Sequence, residues 1–376
     1  MAEAFKELIS PASVRTTAKH LQRVDPSFPG ERFVRRACKG LTELELKARV
    51  QHVADALADS LPDSFAKACD LLERSLAPAR SDTDLSKLVP CAEGLAGWVV
   101  WPMTDYVARY GMQHPARAFK ALRLMTQRNT AEYAIRPFLI AHRDATMRTL
   151  AKWANDPNPH VRRLASEGSR PRLPWGVQLK HLIEDPTPML PLLAQLQDDD
   201  SEYVRRSVAN HLNDIAKDHP AVVAQWLEQH LGGASDERRA MLRHASRTLI
   251  KKSDMRVLRA WGLAKAFRGD VAFAIRPQRV AVGEVTTLEV ELRSNAKNSQ
   301  SLLIDYVVHH VKKGGLTSAK TWKGWQLELP KSGAKSLTKR HSCKPVTTRR
   351  DYPGRHQVDL VINGKVVATA AFVLTV

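Results

Sequence analysis

The amino-acid sequence predicts a mainly α chain: a solenoid of helix pairs followed by a C-terminal β-sandwich. Three observations carry this. First, one motif is written twice, as Asp156-Pro-Asn-Pro-His-Val-Arg-Arg and Asp199-Asp-Ser-Glu-Tyr-Val-Arg-Arg, with Val161-Arg162-Arg163 and Val204-Arg205-Arg206 offset by 43 residues. That period suits helix-pair repeats of the HEAT and armadillo kind, about 40–47 residues each. Second, apolar residues recur at helical spacing up to about residue 268. Third, beyond Gly269 they alternate and β-branched residues become common, which is the signature of strands. The expected domains are a HEAT-like repeat region over 1–268 and an immunoglobulin-like sandwich over 269–376.

The helical elements follow in order. Leu44–Leu61 places Leu46, Val50, Val53, Ala54, Leu57 and Leu61 on one face and stops at Pro62, the residue least able to continue a helix. Further helices are expected at Ser64–Leu76, Trp101–Tyr110, Pro115–Gln127, Tyr133–His142, Thr146–Asn155, His160–Ser166, Tyr203–Lys217, Ala221–His230 and Asp236–Lys251. Short breaks rich in Pro, Asp and Gly separate them. Glu132-Tyr-Ala-Ile-Arg is a weaker echo of Glu202-Tyr-Val-Arg-Arg, so the repeat is degenerate. Strands are expected at Val271–Ile275, Thr286–Leu292, Leu302–Val311, Trp322–Leu329, Gln357–Ile362 and Val366–Val376. Asn363-Gly364 between the last two is a strong two-residue hairpin signal. Asp351-Tyr352-Pro353-Gly354 has the form of a tyrosine-corner anchor.

A formal net charge of +19 and a pI near 10.0 favour nucleic acid or another polyanion as partner, although a basic surface also serves solubility alone. The β region holds 17 Lys+Arg against 8 Asp+Glu, leaving 41 against 31 for the longer helical region. Its charge density is therefore the higher of the two. The four cysteines are scattered without zinc spacing, which makes reduced thiols in a cytoplasmic compartment the default. Neither a signal peptide nor an apolar run long enough to span a membrane is legible. Phosphate-loop, dinucleotide, zinc-protease and esterase motifs are missing, and no metal site is expected. His309-His310 and Lys312-Lys313 read as surface residues on or beside a strand, and Trp98, Trp101, Trp153, Trp226 and Trp261 as core.

Three carboxylates stand out. Glu167 precedes Gly168 at an expected helix end, where the backbone disfavours an acid by about 0.3–1 kcal/mol. An i, i+4 pair with Arg163, worth about 0.3–0.5 kcal/mol, is the plainer account of it. The Gly168-Ser-Arg-Pro-Arg-Leu-Pro-Trp-Gly loop that follows shifts the balance, because it places Arg170, Arg172 and Trp175 beside the acid. Glu132 is expected to open a helix and to pair with Arg136. Asp214 falls inside a helix, where Asp is a poor residue, so it faces either solvent or a functional interior.

At these residues the chain resembles a known family. Thr130-Ala-Glu-Tyr-Ala-Ile-Arg-Pro-Phe, His160-Val-Arg-Arg-Leu-Ala-Ser-Glu-Gly-Ser-Arg-Pro-Arg-Leu-Pro-Trp and Val208-Ala-Asn-His-Leu-Asn-Asp-Ile closely resemble the AlkC family of bacterial DNA alkylation-repair glycosylases. The resemblance covers nearly the whole chain. It implies a HEAT-like repeat fold with a C-terminal immunoglobulin-like module and excision of cationic bases such as 3-methyladenine and 3-methylcytosine. It also implies sharply bent duplex DNA, with the damaged nucleotide outside a conventional flipping pocket. By the same resemblance the active-site acids are Glu132, Glu167 and Asp214, with Trp175 as the neighbouring aromatic, and Glu167 is the first choice among the acids.

Arg162, Arg163, Arg170, Arg172, Arg205 and Arg206 are the expected DNA-backbone contacts, each with an alternative role in a solvated helix face or a salt bridge between repeats. A monofunctional, cofactor-free monomer is the simplest expectation. Two alternatives stay open: a non-catalytic HEAT-like repeat protein that binds damaged or bent DNA, and a protein-binding solenoid whose charge serves solubility.

Overall fold

The computed structural model describes residues 5–84, 87–345 and 352–375. Helices build the first part of the chain. They are α1 (Pro11–Val24), α2 (Gly30–Cys38), α3 (Leu46–Ala58), α4 (Phe65–Arg74), α5 (Trp101–Tyr110), α6 (Pro115–Met125), α7 (Arg136–Ala141) and α8 (Arg143–Trp153). After these come α9 (Pro159–Glu167), α10 (Lys180–Glu184), α11 (Leu190–Leu196), α12 (Glu202–Asp218), α13 (Pro220–His230), α14 (Asp236–Ala245), α15 (Arg247–Lys251) and α16 (Met255–Ala260). Packing runs mainly between helices near in sequence, such as α1 on α2, α7 on α8 and α9 on α12, as a helical-repeat fold requires. The chain divides into two compact units, one of residues 1–218 with 235–245, the other of 219–234 with 246–376. No helix among the described residues is long and apolar enough to cross a membrane.

The repeated motif folds the same way twice. In the first copy the Asp156 carboxylate accepts from Asn158 N at 2.9 Å, and Arg162 Nη1 donates to the carbonyls of Asp156 (2.9 Å) and Pro157 (3.0 Å). In the second, Asp199 accepts from Ser201 N at 2.9 Å, and Arg205 Nη1 donates to the carbonyls of Asp199 (2.6 Å) and Asp200 (2.9 Å). Each Asp therefore caps the loop that opens its helix, and each first Arg clamps that loop from below. Arg162 also reaches forward to the Asp199 carboxylate at 2.6 and 2.9 Å, just as Arg123 reaches Asp156 at 2.6 Å. Successive loops are tied together by ion pairs.

Two expectations are corrected here. Residues 132–135 form turns, and α7 begins only at Arg136, because Pro137 lacks an N–H and suits the first turn of a helix. Asp236–Lys251 is two helices, α14 and α15.

In the second unit, β1 (Gly269–Arg276), β3 (Val285–Ser294) and β6 (Ala334–Ser342) form one antiparallel sheet in the order β1-β3-β6. A second sheet takes the order β2-β8-β7-β4-β5, with β2 (Arg279–Ala281), β4 (Gln300–Val311), β5 (Thr317–Leu329), β7 (Gly354–Ile362) and β8 (Lys365–Thr375). Ile275 and Leu288 from the first sheet share a core with Tyr306, Val308, Val358 and Phe372 from the second, so the sheets pack face to face. Asn363 and Gly364 take the positive φ of the expected hairpin, at 50° and 79°. The buried Asn363 side chain accepts from Leu303 N and donates to the carbonyls of Lys265 and Ser301.

His310 is buried rather than on the surface, because the inward face of β4 continues from Val308 through it. His309 Nε2 meets Asp359 at 2.7 Å. Asp351 lies outside the described residues, and Tyr352 receives its bond through its carbonyl, from His356 Nε2 at 3.0 Å.

Candidate active site

Asn158 caps α9 by accepting from His160 N at 2.9 Å, and Pro159 occupies its first turn. Glu167 ends the helix and Gly168 turns the chain out of it. No side chain fits at 168, since a Cβ there would lie 2.4 Å from Ile135 Cγ2. The chain then enters the loop 169–177, which Arg136 holds from within. Its Nε donates to the Val177 carbonyl at 2.7 Å, and its Nη1 to the carbonyls of Gly168 and Arg170 at 2.8 Å each. Burial, with repulsion from Arg170, pulls this guanidinium down to about 10, still charged at neutral pH.

The three candidate acids come together, with arginines between them. Arg163 Nη1 donates to Glu132 Oε2 at 2.9 Å, and its Nη2 lies 3.5 Å from Glu167 Oε1. Arg170 Nη1 donates to that same Glu167 oxygen at 2.7 Å and its Nε to Asp214 Oδ2 at 2.8 Å. Lys217 ends the series on Asp214 Oδ1 at 2.8 Å. Negative and positive groups thus alternate from Glu132 to Lys217. Glu132, Glu167, Arg170 and Asp214 are buried, Asp214 at 1% exposure. The mid-helix Asp214 therefore faces inward on α12. Glu132 takes Arg163 rather than the expected Arg136 as its partner, because Arg136 is spent on the loop carbonyls.

Burial would raise the Glu167 carboxyl, yet Arg163 and Arg170, with the Ser207 hydroxyl, outweigh it and hold Glu167 below the usual carboxylate range. Burial likewise opposes the charge on Arg163, and Glu167 and Glu132 overcome it and raise that guanidinium. Trp175, by contrast, is held in the open. Its backbone is left-handed at φ 63°, its carbonyl accepts from Lys47 Nζ, and its side chain is 61% exposed. A non-glycine residue in that conformation is uncommon and signals a constraint.

The six expected DNA-contacting arginines all have protein partners. Arg163 and Arg170 belong to the acid network, and Arg162 and Arg205 clamp the repeat loops. Arg172 pairs with Asp218 at 2.7 and 2.8 Å, and Arg206 with Glu202 at 2.9 Å. Arg206 is exposed and Arg172 partly so, so these two remain at the surface. Among the described residues, no group of three His, Cys, Asp or Glu is placed to hold a metal ion.

Several residues of this cluster went unnoticed in the sequence. The Ser207 hydroxyl donates to Glu167 Oε2 at 2.6 Å and lies 3.0 Å from Ser166 Oγ. Thr130 donates to Glu132 Oε2 at 2.8 Å, and the Arg163 guanidinium lies 4.8 Å from the centre of the Tyr203 ring. His211 Nδ1 lies 3.0 Å from the Ser166 carbonyl and is fully buried. The repeat held a signal for Ser207. At the equivalent place in the first copy stands Leu164, a core residue, and a serine there needs a buried polar partner.

Two stretches of the chain match known families. Residues 125–249 match the family model described as DNA alkylation repair enzyme, and residues 270–376 match the C-terminal Ig-like domain of the uncharacterised protein YhaZ. The chain is 36% identical over 364 residues to protein YhaZ of Bacillus subtilis, covering 96% of this chain and 97% of that one. It is also similar to the Pseudomonas fluorescens alkylpurine DNA glycosylase AlkC, solved bound to DNA containing an abasic site analogue. That likeness is 34% in identity with a TM-score of 0.90, over the full length of both chains.

Proposed function

Because the chain belongs to the AlkC family of DNA alkylation-repair proteins, we propose that it is a monofunctional DNA glycosylase for cationic N3-alkylated bases, with 3-methyladenine and 3-methylcytosine as substrates. Its partner is duplex DNA, engaged by a HEAT-like repeat region. An alkylated, positively charged base is already a good leaving group and needs no protonation. Cleavage of the N-glycosidic bond leaves positive charge on the deoxyribose, as in other glycoside cleavages through an oxocarbenium-like species. A carboxylate aimed at that sugar stabilises the charge and orients or deprotonates the attacking water.

The observation that carries this reading is Glu167, held ionised between Arg163 and Arg170 at the mouth of a loop that presents an exposed Trp175. Glu132 and Asp214 act with it. They hold the two arginines from their far sides and add negative potential around the sugar. Trp175 offers a π-face to the cationic centre. Arg172 and Arg206 bind the backbone, Arg163 and Arg170 place the acids, and Arg162 and Arg205 act through the loops they clamp. No lysine is required as a nucleophile, so the product is an abasic site.

Full pairing of the acids also fits a second reading, a non-catalytic protein that binds damaged DNA. Release of alkylated bases from methylated DNA separates the two. Wild type is expected to release them and Glu167→Ala to lose about 100-fold or more in rate. DNA binding by wild type without release overturns the enzyme reading. Full activity in Glu167→Ala overturns the choice of acid.

A further inference from the structure

The six arginines that the sequence offered for DNA are all engaged with protein groups, so much of the chain's net charge of +19 must be displayed elsewhere. Among the described residues of the first unit, a run of cations without a salt-bridge partner stands on its N-terminal helix pair. Arg15, Lys19 and Arg23 follow one another at four-residue steps on α1. All three are exposed. The helical rise of 1.5 Å per residue sets them about 6 Å apart along one line, comparable with the separation of successive phosphates along a DNA strand. The opposite face of α1 is committed to the core through Val14, Ala18 and Leu21, so the row cannot turn inward.

Beside this row runs an open groove of about 640 Å³ between α1 and α2, to which Arg35 of α2 adds a fourth cation. The only acid in its lining is Glu31, 3.6 Å from Arg35, and both side chains are mostly in solvent, where such a pair is weak. Arg23 spends one donor on the Glu93 carbonyl at 2.7 Å, which fixes its position and leaves its charge uncompensated. Lys19 and Arg23 also press on the buried His20 beneath them, which burial and then their charges push below its ordinary value.

A solvated helix face is the ordinary meaning of exposed cations. A mixed surface, however, intersperses the two signs, and here four cations share a groove with one acid. An anionic rod laid along α1 would meet the charges in sequence.

We infer that the α1–α2 groove is a second DNA-binding surface, which grips the phosphate backbone of undamaged duplex away from the lesion. This rests on the reading of the chain as a DNA-repair glycosylase and extends it to a site that performs no chemistry. Phosphate contacts of this kind carry no sequence information. They raise affinity in a salt-dependent way.

The test uses the full chain, an undamaged duplex of about thirty base pairs, and the triple variant Arg15→Gln, Lys19→Gln, Arg35→Gln. Glutamine keeps helix propensity at exposed positions, so folding is preserved. A control variant of equal net charge carries Lys67→Gln, Lys120→Gln and Lys152→Gln, three exposed lysines of the same unit. Removing three phosphate contacts should lower the slope of log affinity against log salt by about 2 to 3 and weaken binding about tenfold or more at low salt. The control should change little, and base release at saturating protein should be as fast in the triple variant as in wild type. Unchanged affinity and slope in the triple variant, or an equal loss in the control, overturns the groove. If wild type itself binds no duplex DNA, the glycosylase reading has failed, and the groove with it.

Discussion

The two copies of the 43-residue frame, Asp156–Gly168 and Asp199–His211, share a scaffold and differ at nine positions, four of which shape the site. Asp and the first Arg do the same work in both: they cap and clamp a loop, and each Asp ties it to the preceding repeat. Leu164 against Ser207, Glu167 against Asn210 and Gly168 against His211 are the differences that matter, along with His160 against Tyr203. The four residues of the second copy do not form a separate site. Ser207 bonds Glu167, His211 bonds the Ser166 carbonyl, and Tyr203 lies against Arg163, while Asn210 turns away to His244 at 3.0 Å. One copy supplies the acid and the other holds it. Divergence between repeats has made them complementary halves of a single constellation.

The sharpest way to test this comparison is to remove a cation from the buried network that joins the copies and, as a reference, one from a surface pair beside it. Arg170→Ala leaves Glu167 and Asp214 buried and short of a partner, and is expected to cost about 3–5 kcal/mol. Arg172→Ala breaks a partly solvated pair with Asp218 and should cost about 1 kcal/mol or less. Chemical denaturation of the full chain measures both, and equal losses would mean that the acid network is no tighter than the surface.

Next in size is the response to acid. His211 is held neutral, with burial pushing it down to about 4, and the adjacent Arg170 charge adds to the effect. The unfolded chain takes up this proton near the ordinary value of about 6.5, and the folded chain only near 4. Stability should therefore fall as pH drops from about 6.5 to about 4, by on the order of 3 kcal/mol from this group. His211→Gln should flatten that part of the curve, whereas an unaltered slope would show that other groups dominate it.

The smallest effect bears most directly on the division of labour. Ser207→Ala removes one hydroxyl from Glu167 Oε2. Base release should fall about tenfold. The acid limb of its pH profile should move to higher pH, since Glu167 loses a bond that holds its carboxyl low. A drop in rate with no movement of that limb would make Ser207 a packing residue only.

Much of this was legible in the sequence, because periodicity reports backbone and burial together. The repeated Val-Arg-Arg, the Glu167-Gly168 helix end and the Asn363-Gly364 hairpin all stand where their local chemistry puts them. What escaped notice depended on contacts between distant residues. Glu132 looked like a first-turn acid, but Pro137 moves the start of α7 past it. Arg136 looked like its partner, but three carbonyls of the loop 168–177 claim that guanidinium. β6 was overlooked because Lys335, Leu337, Lys339 and His341 on its inner face carry little apolar signal. Only the repeat alignment could have flagged Ser207, as a serine where the other copy has leucine.

Gly168 adds a consequence for substitution: the two copies cannot be made alike at this position. The side chain that the second copy carries as His211 would, at 168, place its Cβ 2.4 Å from Ile135 Cγ2. Any side chain there requires Ile135, a residue outside the frame, to give way as well. The asymmetry between the copies is thus held in place by a neighbour that belongs to neither.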